Sequence, residues 1–95
     1  MDTMEKIEYI IQLIGDVTMS FYQNKLNEGY QKLEQLISVI GITMTDLPSD
    51  HVMKLIESKI NIILTDALNA MEEQDSLLLA DIMEYELKEE FKKLL

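Results

Sequence analysis

The stretch VMKLIESKINIILTDALNAMEEQD, residues 52–75, decides the fold class of this 95-residue chain. Its apolar side chains recur every three or four residues, which places them on one face of an α-helix. They are Val52, Met53, Leu55, Ile56, Ile60, Ile63, Leu64, Ala67, Leu68 and Met71. Ser49 or Asp50 is expected to cap the start of this helix, and Asp75 is expected to cap the next one. The stretch therefore predicts a long amphipathic helix, a short polar turn and a second helix.

Three other segments have the same helical periodicity. The first spans about residues 3–26, the second about 30–41, and the last follows Asp75 to the end of the sequence. The polar residues 27–29 predict a tight turn between the first two segments, and Gly41 is a plausible stop signal for the second. Three glycines and one proline leave room for few turns, so the helices should be long.

These segments predict an all-α fold, a four-helix bundle made of two antiparallel helical hairpins. We expect a single domain over residues 1–95, with hairpins at 3–41 and 49–95 and a connecting loop at 42–48. Each hairpin has one apolar face, which it must bury against the other hairpin. A bundle buries both faces at once.

The two predicted hairpins resemble each other in sequence. With an offset of about forty-five residues, the polar turn 24–28 lies over residues 69–73. A duplication explains this likeness, and so does the general similarity of amphipathic hairpins. The sequence leaves both explanations open.

The charge balance excludes some classes of partner. Eight basic and 18 acidic side chains give a net charge of −10, the basic residues are scattered lysines, and arginine is absent. Nucleic-acid binding and attachment to anionic membranes both depend on clustered positive charge, so we expect neither. Cysteine is absent too, which removes disulfides, thiolate metal sites and thiol nucleophiles.

The sequence lacks the marks of a secreted or membrane protein. Its first residues, Met1 to Glu5, have no basic start and no continuous apolar run, in contrast to a signal peptide. The longest apolar runs, such as residues 77–80, are far shorter than a membrane span. We therefore expect a cytoplasmic protein.

Few residues are suited to carry chemistry. His51 is the single histidine, at the predicted start of the third helix, and no second histidine lies at ligand spacing. Catalysis or metal binding by His51 would need further groups within reach, so we expect an exposed residue of the first helical turn. No catalytic residue, metal or cofactor is expected.

Paired carboxylates offer the alternative of an enzyme. Glu5 and Glu8 lie three residues apart on one helical face, and the same spacing relates Asp81 and Glu84. All-helical nucleoside-triphosphate pyrophosphohydrolases bind magnesium through such pairs, so a magnesium-dependent nucleotide hydrolase is the alternative function. That family needs a further pair on the next helix, and the second segment does not offer one.

The most acidic part of the sequence spans residues 66–90, with nine acids and one base. Such a surface is either a solvated face or a face that attracts a basic partner. The candidate partner-binding residues are Asp81, Glu84, Tyr85, Leu94 and Leu95. Methionines are frequent and spread along the whole sequence, which favours core filling over a specialised groove.

Residues 67–75 followed by 78–87 resemble the C-terminal part of a group of small uncharacterised bacterial helical proteins. The shared features are an Ala-Leu-x-Ala turn at residues 67–70 and the ending Leu-Ala-Asp-x-x-Glu-Tyr-Glu-Leu at residues 79–87. The likeness covers about the last third of the sequence, and it implies the helical fold and a cytosolic setting without an activity. In size, acidity and hairpin form, the chain is also similar to flagellar export chaperones.

The function expected from these features is a non-catalytic protein–protein interaction module, an adaptor or a chaperone-like helical bundle. Its partner would be another protein or a second copy of the chain. The lack of reactive groups, the acidic face and the apolar side chains off the main stripes support this expectation. Magnesium-dependent nucleotide hydrolysis is the alternative, and convergence of the two carboxylate pairs on one cavity would distinguish it.

Overall fold

The computed structural model describes residues 2–48 and 50–95, and the predicted all-α four-helix bundle is confirmed. Its helices are α1 (Thr3–Tyr22), α2 (Leu26–Thr45), α3 (His51–Glu72), α4 (Ser76–Ile82) and α5 (Lys88–Lys92), with a π-helical turn (Met83–Leu87) between the last two. The helical backbone continues from α4 through the π-helical turn into α5, and we call these three segments together the C-terminal helix. No strand occurs in the two described ranges.

Aspartate side chains begin three of the helices. Asp2, Asp50 and Asp75 each accept a hydrogen bond from the backbone N–H three residues ahead, at 2.8, 2.8 and 3.0 Å. These bonds satisfy N–H groups that have no partner inside the helix. The prediction of caps at Asp50 and Asp75 is confirmed. Ser49, the predicted first residue of the second hairpin, lies outside the described residues.

The two hairpin turns have the same backbone conformation. Asn24 and Gln74 both take a left-handed conformation, with φ of 59° and 58°. In each turn the next residue donates its N–H to the carbonyl five residues back, over 2.8 Å in the first turn and 2.9 Å in the second. The hairpins therefore match with an offset of 74 − 24 = 50 residues, and the predicted offset of about forty-five is wrong.

The first turn lies earlier in the chain than predicted. α1 ends at Tyr22 and α2 begins at Leu26, so residues 27–29 are helical and the predicted turn there is wrong. The glycine serves packing instead, since a Cβ atom at Gly29 would lie 2.8 Å from the ring of Phe21. Gly29 therefore lets α1 and α2 approach closely.

The connection between the hairpins is shorter than the predicted loop of residues 42–48. α2 continues through Gly41 to Thr45, so the predicted stop at Gly41 is wrong. Ile40 and Thr43 are buried in this last part of α2. Their packing outweighs the cost of about 1 kcal/mol for a glycine inside a helix.

α1 lies at the centre of the packing. It contacts α2 along one side and the C-terminal helix along another, whereas α3 packs extensively against the C-terminal helix alone. The core between them consists of side chains that are almost inaccessible to solvent, among them Ile10, Ile14, Phe21, Leu36, Ile60, Leu79 and Phe91. α2 and α3 follow each other in the chain but do not pack against each other in this way. The bundle is therefore open along one of its edges.

The π-helical turn changes the spacing of core residues in the C-terminal helix. The buried residues of α2 have successive gaps of four, three, four and three, and they are Gly29, Leu33, Leu36, Ile40 and Thr43. The C-terminal helix buries residues at three successive gaps of four, namely Leu79, Met83, Leu87 and Phe91. In a regular α-helix each gap of four overshoots a full turn by about 40°, so these gaps would rotate Phe91 away from the core. The π-helical turn contains one residue more than an α-helical turn, so it compensates for this rotation and keeps Phe91 in the core. The C-terminal helix therefore has one residue more than α2 between equivalent core positions.

Candidate functional site

The open edge of the bundle is an apolar groove between α2 and α3. Seven side chains line it, and all of them are apolar: Leu33, Ile37, Leu64, Ala67, Leu68, Met71 and Met83. α2 and α3 form the two walls, and Met83 of the C-terminal helix is fully buried beneath them. The groove has a volume of about 150 Å³. This is below the roughly 300–1,000 Å³ of small-molecule pockets, so it suits side chains of another protein better.

The groove has a counterpart in the same molecule in which the helices are packed together. The offset between the hairpins pairs α1 with α3, and α2 with the C-terminal helix. The interface between α3 and α2 therefore corresponds to the interface between α1 and the C-terminal helix, where the two helices are packed together. The same arrangement of helices therefore occurs once with the two helices packed together and once with an apolar gap between them.

Equivalent positions in the two interfaces differ in exposure. Ile14 of α1 is fully buried, whereas its counterpart in α3, Leu64, is half-buried. The difference is larger between Thr18, which is 4% exposed, and its counterpart Leu68, which is 50% exposed. This pair reverses the usual preference, since the hydroxyl side chain is buried and the leucine faces water. The open interface therefore exposes a leucine at the position where the packed interface buries a threonine.

The predicted partner-binding residues lie outside this groove. Asp81, Glu84 and Tyr85 come together on the C-terminal helix, on the side that faces α1. The carboxylate of Asp81 accepts a hydrogen bond from the Tyr22 hydroxyl, and Lys88 donates to both oxygens of Glu84 at 2.8 and 2.9 Å. Tyr85 is largely exposed.

Leu94 and Leu95 lie beyond the C-terminal helix, which ends at Lys92, and they are nine and ten residues after Tyr85. Leu94 is half-buried and packs against the core, because it lies three residues after Phe91 on the same stripe. Leu95 is exposed. The structure therefore brings three of the five predicted residues together and places the two leucines apart from them.

A second, more polar cleft of about 330 Å³ lies between α1 and the π-helical turn. It is lined by Gly15, Thr18, Met19, Tyr22, Glu84, Tyr85 and Lys88. The hydrogen bond to Asp81, followed by desolvation and the negative charge of Asp81, raises the pKa of the Tyr22 phenol to about 12. Asp81 and Glu84 thus already have partners within the chain, and the charge of Glu84 is balanced by Lys88.

The two carboxylate pairs of the hydrolase hypothesis do not converge. Glu5 and Glu8 are exposed near the start of α1, whereas Asp81 bonds to Tyr22 at its end. From Glu8 to Tyr22 the helix rises by about 21 Å. His51 is exposed at the first position of α3. Within residues 2–48 and 50–95, no three His, Asp or Glu side chains are grouped so that they could hold a metal ion.

The groove was not recognisable from the residue pattern of any one helix. Its lining residues belong to the apolar stripes, which the sequence assigns to the core. One signal was the width of the α3 stripe: it holds ten apolar residues, and only three of them, Ile60, Ile63 and Ala67, are buried. A single neighbouring helix cannot cover this much apolar surface.

The fold and this groove define a small all-helical bundle with one unfilled apolar edge. None of the helices in the described part combines the length and the apolar character needed to cross a membrane. The chain belongs to the family described as Domain of unknown function (DUF8042), whose model matches residues 1–95. This membership agrees with the resemblance to an uncharacterised family. No curated protein and no solved structure matches the chain.

Proposed function

We propose that the protein is a non-catalytic interaction module that holds the apolar face of a partner helix in the groove between α2 and α3. The observation that carries this proposal is the pair of equivalent positions Thr18 and Leu68, where the leucine is on the open side. A partner helix in the groove would cover Leu68 in the way that the C-terminal helix covers Thr18. This is the helix-in-groove mode of recognition.

The lining of the groove supports a partner with some freedom of sequence. Met71 is half-buried in one wall, and Met83 lies beneath it. Methionine side chains are flexible and polarisable, so they can adjust to the shape of different apolar side chains. Such a surface suits an adaptor or a chaperone-like protein that holds one helix of its client. The cytoplasm is the proposed location, as expected from the sequence pattern.

The test uses a model ligand of defined chemistry. The probe is a synthetic amphipathic helix of about 20 residues, long enough to be helical, with leucines on one face and glutamines on the other. Isotope-labelled methionine methyl groups report its position by NMR. We expect the signals of Met71 and Met83 to shift on titration. Met4 and Met19 are exposed away from the groove, and their signals should stay in place.

Two matched variants of α3 complete the test. Leu68→Lys places a charge in the groove and should weaken peptide binding about tenfold or more, because leucine burial is lost and an ammonium is desolvated. Ile62→Lys makes the same change at a position that is 63% exposed and outside the groove, so binding should be unchanged. Equal effects of the two variants, or shifts confined to Met19 of the second cleft, would contradict the proposal.

A further inference from the structure

Exposed carboxylates lie on both of the helices that form the walls of the groove. Glu34 lies one turn from Ile37 on α2, three residues away along the helix. On α3, Glu72 lies four residues after Leu68, and Glu57 lies on the same face seven residues before Leu64, about 10 Å beyond the lined part of the groove. We call Glu34, Glu57 and Glu72 the rim carboxylates.

The rim carboxylates are not neutralised within the chain. The ion pairs among the described residues involve Asp46, Glu28, Glu84, Glu89 and Glu90. None of the three rim carboxylates takes part in these pairs. Lys59 is the basic residue closest in sequence to the α3 wall of the groove, but it lies five residues before Leu64, which places it about 140° around the helix from that residue. The apolar lining is therefore bordered by an excess of negative charge.

We infer that the helix held in the groove is a basic amphipathic helix, with lysine or arginine on both sides of its apolar stripe. This inference rests on the proposed function. Such a helix would place cations opposite the rim carboxylates while its stripe fills the groove. The net charge of −10 adds a long-range attraction for a positively charged segment. A second copy of this chain would bring one carboxylate rim against another, which opposes self-association through this edge.

The groove also limits the length of contact. From Leu64 to Met71 the lining spans seven residues, or about 10 Å of helix. A partner helix would therefore present about two turns, with apolar anchors at spacings of three, four and seven residues. The basic residues should flank these two turns.

The experiment compares two peptides that share one leucine stripe and differ only beside it, with lysines in one and glutamates in the other. Affinities are measured by fluorescence anisotropy at low salt and at about 1 M salt, where the Debye length is about 3 Å. We expect the lysine peptide to bind at least tenfold more tightly at low salt, and the difference to shrink at high salt.

Charge reversal at the rim tests where the preference arises. The triple variant Glu34→Lys, Glu57→Lys and Glu72→Lys should reverse the order of the two peptides. The control variant Glu5→Lys, Glu8→Lys and Asp16→Lys changes the net charge equally at exposed positions of α1 and should keep the order. If both triple variants act alike, the preference comes from the overall charge, and the inference about the rim is wrong.

The remaining outcomes separate this inference from the proposed function. If both peptides bind equally and binding is lost in Leu68→Lys, the groove holds helices but does not select basic ones, and this inference alone fails. If neither peptide binds, the proposed function fails. A dimer in sedimentation analysis that Leu68→Lys dissociates would identify a second copy as the occupant and would overturn the inference of a basic partner.

Discussion

α1 and α3 are the first helices of two matching hairpins, yet they are buried to different extents. α1 buries eight residues along its length, whereas α3 buries four, namely Ile60, Ile63, Ala67 and Ala70. α1 has packed neighbours on two sides, α2 and the C-terminal helix, and α3 has one. An amphipathic stripe therefore indicates which face of a helix is apolar, while the number of neighbours decides how much of that face is covered.

The second helices of the hairpins differ in regularity. α2 holds its core residues on one face through alternating gaps of four and three, and the C-terminal helix does so through the π-helical turn. The same packing requirement is met by residue spacing in one helix and by backbone geometry in the other. The hairpins are thus equivalent in their turns and core positions but differ by one inserted residue.

The largest effect is expected from deleting a single residue in one hairpin or the other. Deletion of Glu86, exposed in the π-helical turn, converts the three core gaps of the C-terminal helix to four, three and four, which are the first three gaps of α2. Deletion of Ser38, exposed in α2, rotates Ile40 and Thr43 by about 100° out of the core.

We expect the Glu86 deletion to fold with cooperative unfolding, and the Ser38 deletion to lose at least about 3 kcal/mol or to stay unfolded. Thermal unfolding followed by circular dichroism distinguishes the two. Equal losses of stability would show that the π-helical turn is not equivalent to an inserted residue.

The next effect compares matching positions of α1 and α3. Ile14→Ala empties a fully buried position and should lower the free energy of unfolding by about 3 kcal/mol, within the usual range for such changes. Leu64→Ala acts on a half-buried groove residue and should cost about half as much, with an additional loss of peptide affinity. Urea unfolding of both variants measures the difference. The same cost at both positions would indicate that the groove is closed in solution.

The smallest effect concerns the last helical residue of α1, Tyr22, which corresponds to Glu72 at the rim of the groove. One phenol should titrate at about 12, because the neutral hydroxyl donates to the carboxylate of Asp81. Since this pKa is raised above the ordinary value of 10.0, the associated stability is present below about pH 10 and is lost as the pH approaches 12. The loss should be small, because Tyr22 is 45% exposed.

Ultraviolet titration of tyrosinate measures this step. Asp81→Asn should return the highest titration step toward the ordinary value, and Tyr22→Phe should remove it. Tyr85→Phe removes only a smaller contribution from the same cleft, so this step should stay well above the ordinary value. Persistence of that step in Tyr22→Phe would assign it to another residue.

The local features of this structure can be predicted from the order of residues in the sequence. The four helical segments were predicted from apolar spacing, and Asp50 and Asp75 from the preference of aspartate for the N-cap. Helical spacing also placed Asp81, Glu84 and Tyr85 on neighbouring positions of one helix. Each of these features depends on groups within about one turn of each other, so a single segment contains the information.

Other features depend on contacts between segments distant in sequence. From the sequence, Gly29 is predicted to lie in a turn, and only its contact with Phe21 explains why it lies in a helix. Gly41 is predicted to end α2, and only the packing of Ile40 and Thr43 explains why the helix continues. The π-helical turn arises because three gaps of four must face one core. The groove exists because α3 packs on the C-terminal helix and leaves α2 uncovered along its edge. The spacing of apolar residues determines which face of each helix is apolar. Only the packed bundle determines which of these faces contact each other, because each contact depends on the positions of all four helices.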